Sequence, residues 1–253
     1  FDDSSLHALG RIHSGDDARR ALDAAARHFD NFNLDLMYAL PDQTPVAAGR
    51  DLETALGFAP THLSVYQLAI EPNTVFAKYP PRQPDEDAID AMLAMIEDRT
   101  TAAGFEHYEV SAYARPGRRS RHNLNYWRFG DYLGVGPGAH GKISFAERVI
   151  RQARLRHPDR YLQAVFDTGA IGEEREVGVD EMGFEFMLNA LRLREGVPAA
   201  LFEERTGCSL ALVREPWRQA QTRGLMVEDP TKLRTTALGW RFLNEVQALF
   251  LRG

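Results

Sequence analysis

Three segments carry residue types that could do chemistry. His122 stands just past the basic run Arg115-Pro116-Gly117-Arg118-Arg119-Ser120-Arg121 and just before Asn123, Tyr126 and Trp127. A neutral imidazole can ligate iron, guanidinium groups pair with carboxylates, and aromatic rings cover flat macrocycles. The same residue could instead be a loop histidine satisfied by backbone carbonyls. Asp35 lies mid-strand on the less apolar face, where an unpaired carboxylate is costly to bury. It could meet a ligand, as inward polar groups on barrel strands do, or pair with an arginine for structural reasons. Gln67 and Ala69 share one face of the next strand, with ordinary barrel filling as the plain alternative. Gly136-x-Gly138-x-x-Gly141 is formally a dinucleotide fingerprint. That motif must follow a strand and open a helix. Here Lys142-Ile143-Ser144-Phe145 continues as extended chain, so the dinucleotide reading is rejected. What remains is a loop that lets backbone approach another backbone or a flat ligand.

The elements that must position these residues alternate over the first 113 positions. Ser14, with Asp17 three residues on, predicts a capped helix through Ala21, Leu22, Ala25 and Ala26. The run 32–40 alternates with period two: Leu34, Leu36, Tyr38 and Leu40 face one way, Asn33, Asp35, Met37 and Ala39 the other. Thr44-Pro45 opens a helix that stops at Gly57. A second strand is expected over 62–70, a helix over 85–103 with Ile89, Met92, Leu93 and Ile96 inward, and a third strand from Phe105 to Tyr113. Such alternation predicts crossover units and a parallel sheet. A complete barrel takes about 250 residues, so this pattern reads as the later part of one.

Farther on, Val149-Ile150-Arg151 reads as a short strand and 158–166 as a helix, and 167–179 as a polar connector. A small separate domain is expected from 180 to 253: helices over 185–193, 198–206 and 210–223, a hairpin over 225–235 and a last helix over 237–251. Three helices, a hairpin and a helix suggest a winged-helix-like arrangement.

Composition narrows the classes. The 253 residues are 44% hydrophobic and 26% charged with a net charge of −6, ordinary for a globular protein and unlike a disordered or collagen-like chain. No apolar run approaches the ~20 residues that span a bilayer. The single cysteine, Cys208, cannot form an internal disulfide, a Cys-rich zinc site or a three-thiolate cluster. No secretory signal is visible after Phe1, and a reducing cytoplasmic setting fits. The missing initiator Met suggests a piece of something longer. Residues 176–253 carry 10 basic and 11 acidic side chains, which is no nucleic-acid footprint.

Taken in order, Leu9-Gly10-Arg11-Ile12-His13, 35–44 (DLMYALPDQT), Ser64-Val65-Tyr66-Gln67-Leu68 with Glu71-Pro72-Asn73-Thr74, His122-Asn123-Leu124-Asn125-Tyr126-Trp127 and Gly138-Ala139-His140-Gly141 closely resemble the oxygen-independent coproporphyrinogen III oxidase-like radical SAM family. The HNxxYW and GAHG motifs are similar to its haem-chaperone branch rather than to the true oxidase. Thr236-x-x-Gly239-x-x-Phe242-Leu243-Asn244 is similar to the family's C-terminal domain.

The resemblance implies an α/β fold: the C-terminal part of a radical SAM partial (β/α) barrel over 1–166, then the connector and the mostly α, winged-helix-like domain. It places the CxxxCxxC ligands of a [4Fe-4S] cluster in a preceding half barrel outside this chain. Arg11 and Asp35 then match contacts to S-adenosylmethionine, and Ala69 and His140 match positions lining the same site. His122 matches the haem ligand, with Tyr126 and Trp127 beside it; proximity and charge add Arg118, Arg119 and Arg121 as propionate partners. The implied function is a cytoplasmic haem chaperone that passes haem to respiratory acceptor proteins. Oxidative decarboxylation of coproporphyrinogen III is the enzymatic alternative and a nucleic-acid-binding module the third. Peripheral membrane association and a homodimer stay open.

Overall fold

The computed structural model of the chain describes residues 1–167 and 169–251. Thr168 of the expected connector and the last two residues of the expected C-terminal domain lie outside them. The chain divides into two compact units, 1–120 and 121–253. The expected boundary at 166–180 therefore falls inside the second unit.

The first unit runs α1 (Asp3–Ala8), α2 (Gly15–His28), β1 (Asn33–Tyr38), α3 (Pro45–Gly57), β2 (His62–Gln67), α4 (Val75–Lys78), α5 (Glu86–Ala102), β3 (Glu106–Glu109) and β4 (Ala112–Ala114). Local chemistry sets the helix starts. Ser14 and Asp17 form a reciprocal capping box on α2, Thr44 caps α3 ahead of Pro45, and Asp85 caps α5, each satisfying amides that have no partner within the helix.

The sheet order is β1-β2-β4-β3. β1 and β2 are parallel, in register from Asn33 opposite His62 to Tyr38 opposite Gln67. The third strand departs from expectation. Val110 and Ser111 turn the chain back on itself, so 105–113 yields two short strands. β4 lies antiparallel to both β2 and β3, and His107 stacks on Tyr113 at 4.2 Å. The sheet is thus mixed rather than parallel throughout.

The core lies on one face of this sheet. Leu34, Leu36 and Tyr38 of β1 and Leu63 and Val65 of β2 pack with Ala48, Leu52 and Ala55 of α3 and Met92 and Ile96 of α5. Each buried large side chain contributes about 1.5–3 kcal/mol. Leu93, expected inward, is exposed. The β1 alternation leaves Asn33 and Asp35 exposed on the opposite face.

The second unit runs α6 (Arg121–Trp127), β5 (His140–Ser144), β6 (Val149–Arg154), α7 (Pro158–Ala164), β7 (Ile171–Glu176), α8 (Val179–Ala190), β8 (Val197–Pro198), α9 (Ala200–Thr206), α10 (Ala211–Thr222), β9 (Lys232–Leu233), α11 (Ala237–Arg241) and α12 (Leu243–Ala248). β5, β6 and β7 form an antiparallel sheet in that order. The expected connector is largely β7: its polar side chains are all exposed, so composition signalled a loop where backbone pairing with β6 makes a strand.

Helix α8 starts six residues before the expected 185. The 225–235 segment closes through a Met226–Thr235 bridge and pairs β9 with β8. The last helix is two, interrupted at Phe242, whose φ of −109° and ψ of 43° leave the helical region. Phe186 anchors this part, with ring centroids 5.5 Å from Phe129 and 5.1 Å from Phe202.

Candidate functional site

His122 belongs to a helix, not to a loop. It is the second residue of α6 and is exposed. Residues four apart on a helix share a face, and the Tyr126 ring meets the imidazole there at 4.8 Å between centroids. Tyr126 in turn lies 4.2 Å from the ring of Tyr132. The Tyr132 hydroxyl accepts a hydrogen bond from Arg151 Nη1 at 2.6 Å, and Arg151 is ion-paired with Glu185 of α8. Burial, reinforced by Tyr132 and opposed by Arg151, raises the Tyr126 phenol above its ordinary range. An imidazole thus ends a row of aromatic rings braced from behind. Beyond this ring contact, neither imidazole nitrogen has a hydrogen-bond or ion-pair partner among the described residues.

Tyr132 is placed by the glycine-rich segment. Its backbone exchanges hydrogen bonds with Lys142 at 3.0 and 2.9 Å. A Cβ on Gly134 would come within 2.5 Å of the His140 carbonyl oxygen, and one on Gly141 within 3.2 Å of the Gly134 nitrogen. The close approach these glycines permit is therefore between backbones. Tyr132, Arg151 and Glu185 belong to no motif that sequence reasoning singled out: Tyr132 meets Tyr126 through the fold of the loop after α6, and Arg151 and Glu185 are linked to it in turn.

The other haem candidates differ. Trp127 sits under the Arg192 guanidinium, 4.4 Å from its ring centroid, and its Nε1–H is buried without an acceptor among the described residues. Arg121 is exposed on α6. Arg118 and Arg119 belong to the first unit. Arg118 is exposed, its amide closing a turn onto the Arg115 carbonyl at 2.9 Å. Arg119 is engaged, with Nη2 3.0 Å from Glu106 Oε2 and the guanidinium 5.6 Å from the Tyr108 ring centroid.

The S-adenosylmethionine candidates Arg11, Asp35 and Ala69 are all exposed in the first unit, and His140 is exposed in the second. Asp35 Oδ1 accepts from Asn33 Nδ2 at 2.7 Å. Asn33 Oδ1 accepts from Ser64 Oγ at 3.0 Å and faces His62 Nδ1 at 2.6 Å. His62 Nε2 faces Tyr108 Oη at 2.8 Å. Burial lowers the His62 pKa, against an upward pull from Asp35. The period-two pattern placed Asn33 beside Asp35; the partners from β2 and β3 carry no local signal.

Among the described residues no group of three or more His, Cys, Asp or Glu side chains is placed to hold a metal. Cys208 is a free thiol. A groove of about 560 Å³ along α10, lined by Leu210, Arg214, Trp217, Arg218 and Pro230 among others, contains no residue that sequence reasoning marked.

The family described as the HemN C-terminal domain matches residues 179–242. The chain is 43% identical over 253 residues to the heme chaperone HemW of Haemophilus influenzae, covering 99% of this chain and 65% of that protein. It is 42% identical to the heme chaperone HemW of Escherichia coli K12, covering 99% and 66%. With that of Bacillus subtilis it shares 32% identity over 262 residues, covering 99% and 67%. The chain thus spans just under two thirds of the length of the first two relatives. Among solved structures it matches the radical SAM enzyme coproporphyrinogen III oxidase (HemN) from Escherichia coli. The TM-score is 0.78 at 19% identity, covering 99% of this chain and 62% of that one, which establishes a shared fold.

Proposed function

We propose, from the premise that this chain belongs to the heme chaperone HemW family, that it binds haem as cargo through His122 and gives it up to haem-accepting respiratory proteins. One observation carries the reading: an exposed imidazole backed by Tyr126, with no hydrogen-bond partner for either nitrogen among the described residues. A neutral imidazole of this kind is a common axial ligand of haem iron. Tyr126 offers the porphyrin an apolar ring edge. Arg121, exposed on the same helix, is the cation assigned to a propionate. Trp127 stays in the reading as a ring beside Tyr126, 6.4 Å away.

The same membership supports a partial S-adenosylmethionine site of Arg11, Asp35 and Ala69 in the first unit. The residues fit that group: Asp35 is an exposed carboxylate held by a single amide, with acceptor capacity left for a ribose diol. S-adenosylmethionine with an iron–sulfur cluster supplies radical chemistry when bound. One cysteine in this chain does not fit a cluster, and no step is assigned to one here. The cytoplasm is the proposed setting; no helix among the described residues is long and apolar enough to cross a membrane.

The test is haem titration of the parent chain and of His122→Ala and His122→Leu. The parent should shift the Soret band on haem addition and both variants should lose that shift. Variant spectra matching the parent would put the ligand elsewhere.

A further inference from the structure

Ser64 Oγ and His62 Nδ1 lie 3.0 and 2.6 Å from Asn33 Oδ1, and an amide oxygen only accepts, so both must donate to it. An amide oxygen has two lone pairs, so these two donors saturate it. The amide plane is then fixed, and its Nδ2 points at Asp35 Oδ1, 2.7 Å away. Turning the amide over would set its oxygen against the Asp35 carboxylate, acceptor to acceptor. For Nδ1 of His62 to donate, its other nitrogen must be the acceptor, and Tyr108 Oη stands there at 2.8 Å. Tyr108 Oη also accepts from the Ser120 amide at 3.3 Å. The donors therefore run one way, from Ser120 N–H to Tyr108 Oη–H to His62, then through Asn33 to Asp35. His62 and Tyr108 are buried, so water does not compete for the bond between them, and an unmade bond there costs more than at the surface, where the Asn33–Asp35 end of the chain lies.

We propose that His62, held as the Nδ1–H tautomer by Tyr108, is a positioning residue that orients Asn33 and through it the Asp35 carboxylate for the ribose hydroxyls of a nucleoside ligand. This deepens the reading of Asp35 given above and rests on it. Asp35 presents one geometry instead of a free rotamer, so less entropy is lost when a diol binds.

The experiment uses the whole chain. Nitrogen-15 chemical shifts of the imidazole report the tautomer directly, and the inference requires a protonated Nδ1 and a bare Nε2 on His62 at neutral pH. The opposite tautomer, or rapid averaging of the two, overturns the relay whatever happens to ligand binding. Calorimetry with S-adenosylmethionine then compares four proteins. His62→Leu should weaken binding about fivefold, the worth of one hydrogen bond, while His62→Asn, which keeps a donor near the Nδ1 position, should stay within about twofold of the parent. Asp35→Asn should weaken binding at least as much as His62→Leu. A parent chain that does not bind, or an Asp35→Asn variant that binds like the parent, overturns the ribose reading, with the nitrogen shifts still deciding the relay. If Asp35→Asn weakens binding and His62→Leu does not, His62 positions nothing.

Discussion

The Lys142 ammonium sits 4.1 Å from the centroid of the Phe129 ring, with only 1% of the residue exposed. Its Nζ also donates to Asp131 Oδ1 at 2.9 Å and to Ser144 Oγ at 2.8 Å. A buried cation needs such partners, since desolvation disfavours its charged form. The cluster joins the loop after α6 to β5, and so holds Tyr132 next to Tyr126. Lys142→Ala should lower unfolding stability by about 2 kcal/mol, less than for a fully buried pair because Asp131 is partly in solvent. Lys142→Met, which keeps the volume, should lose less. Urea unfolding of the three proteins decides, and an Ala variant as stable as the parent refutes it.

Tyr126 should matter to haem affinity without being a ligand. Tyr126→Ala removes the ring behind His122 and should weaken haem binding about fivefold, the worth of about 1 kcal/mol of aromatic contact. The Soret maximum of the bound form should not move. Tyr126→Phe should bind like the parent, since the Tyr126 hydroxyl has no hydrogen-bond partner among the described residues. A changed Soret position in Tyr126→Ala would make the tyrosine part of the coordination.

Gly134 lies against β5 with no room for a methyl group. Gly134→Ala would press Cβ to 2.5 Å from the His140 carbonyl, and the backbone must shift at a cost of about 1–3 kcal/mol. Thermal unfolding should show a lower Tm. Gly117→Ala, in open space but at a φ of +75°, should lose less, about 1 kcal/mol. Equal, negligible effects would contradict the packing.

His62 gives stability a pH dependence with a definite sign. Burial lowers its folded pKa, so below the ordinary imidazole value of about 6.5 the unfolded chain takes up a proton that the folded chain resists. Its contribution is complete above that value and is lost as the pH falls toward the lowered one. Chemical unfolding at pH 7.5 and 5.5 (about one unit either side of 6.5) should show this decline in the parent and a smaller one in His62→Asn. A parent with equal stability at both would refute it.

Asp131 behaves in the same sense at lower pH. Burial pulls its pKa upward, but the Ser144 amide, Lys142 and the Ser144 hydroxyl outweigh it and hold the carboxyl below its ordinary range. The stability it adds is present above about 3.9 and fades as the pH falls through the folded value. Asp131→Asn should flatten the acid limb of the unfolding curve; an unchanged limb would remove Asp131 from it.

Much of this protein is written locally. Period-two alternation placed Asp35 beside Asn33 on the face of β1 opposite the core, and Ser14, Thr44 and Asp85 set three helix starts, because side-chain direction and capping depend on residues a few positions apart. The HNxxYW and GAHG motifs carried the family. The turn at Val110 and Ser111, the strand hidden in the polar 171–176 run and the break at Phe242 were not legible. There, pairing with distant backbone outweighs composition, and no nearby residue announces it. Tertiary structure alone decided that Tyr132 is braced by Arg151 and Glu185, that Arg119 is engaged by Glu106, and that His62 reaches Asp35 through Asn33. Each depends on segments well separated along the chain meeting at hydrogen-bond distance, which the order of residues does not encode until the chain has folded.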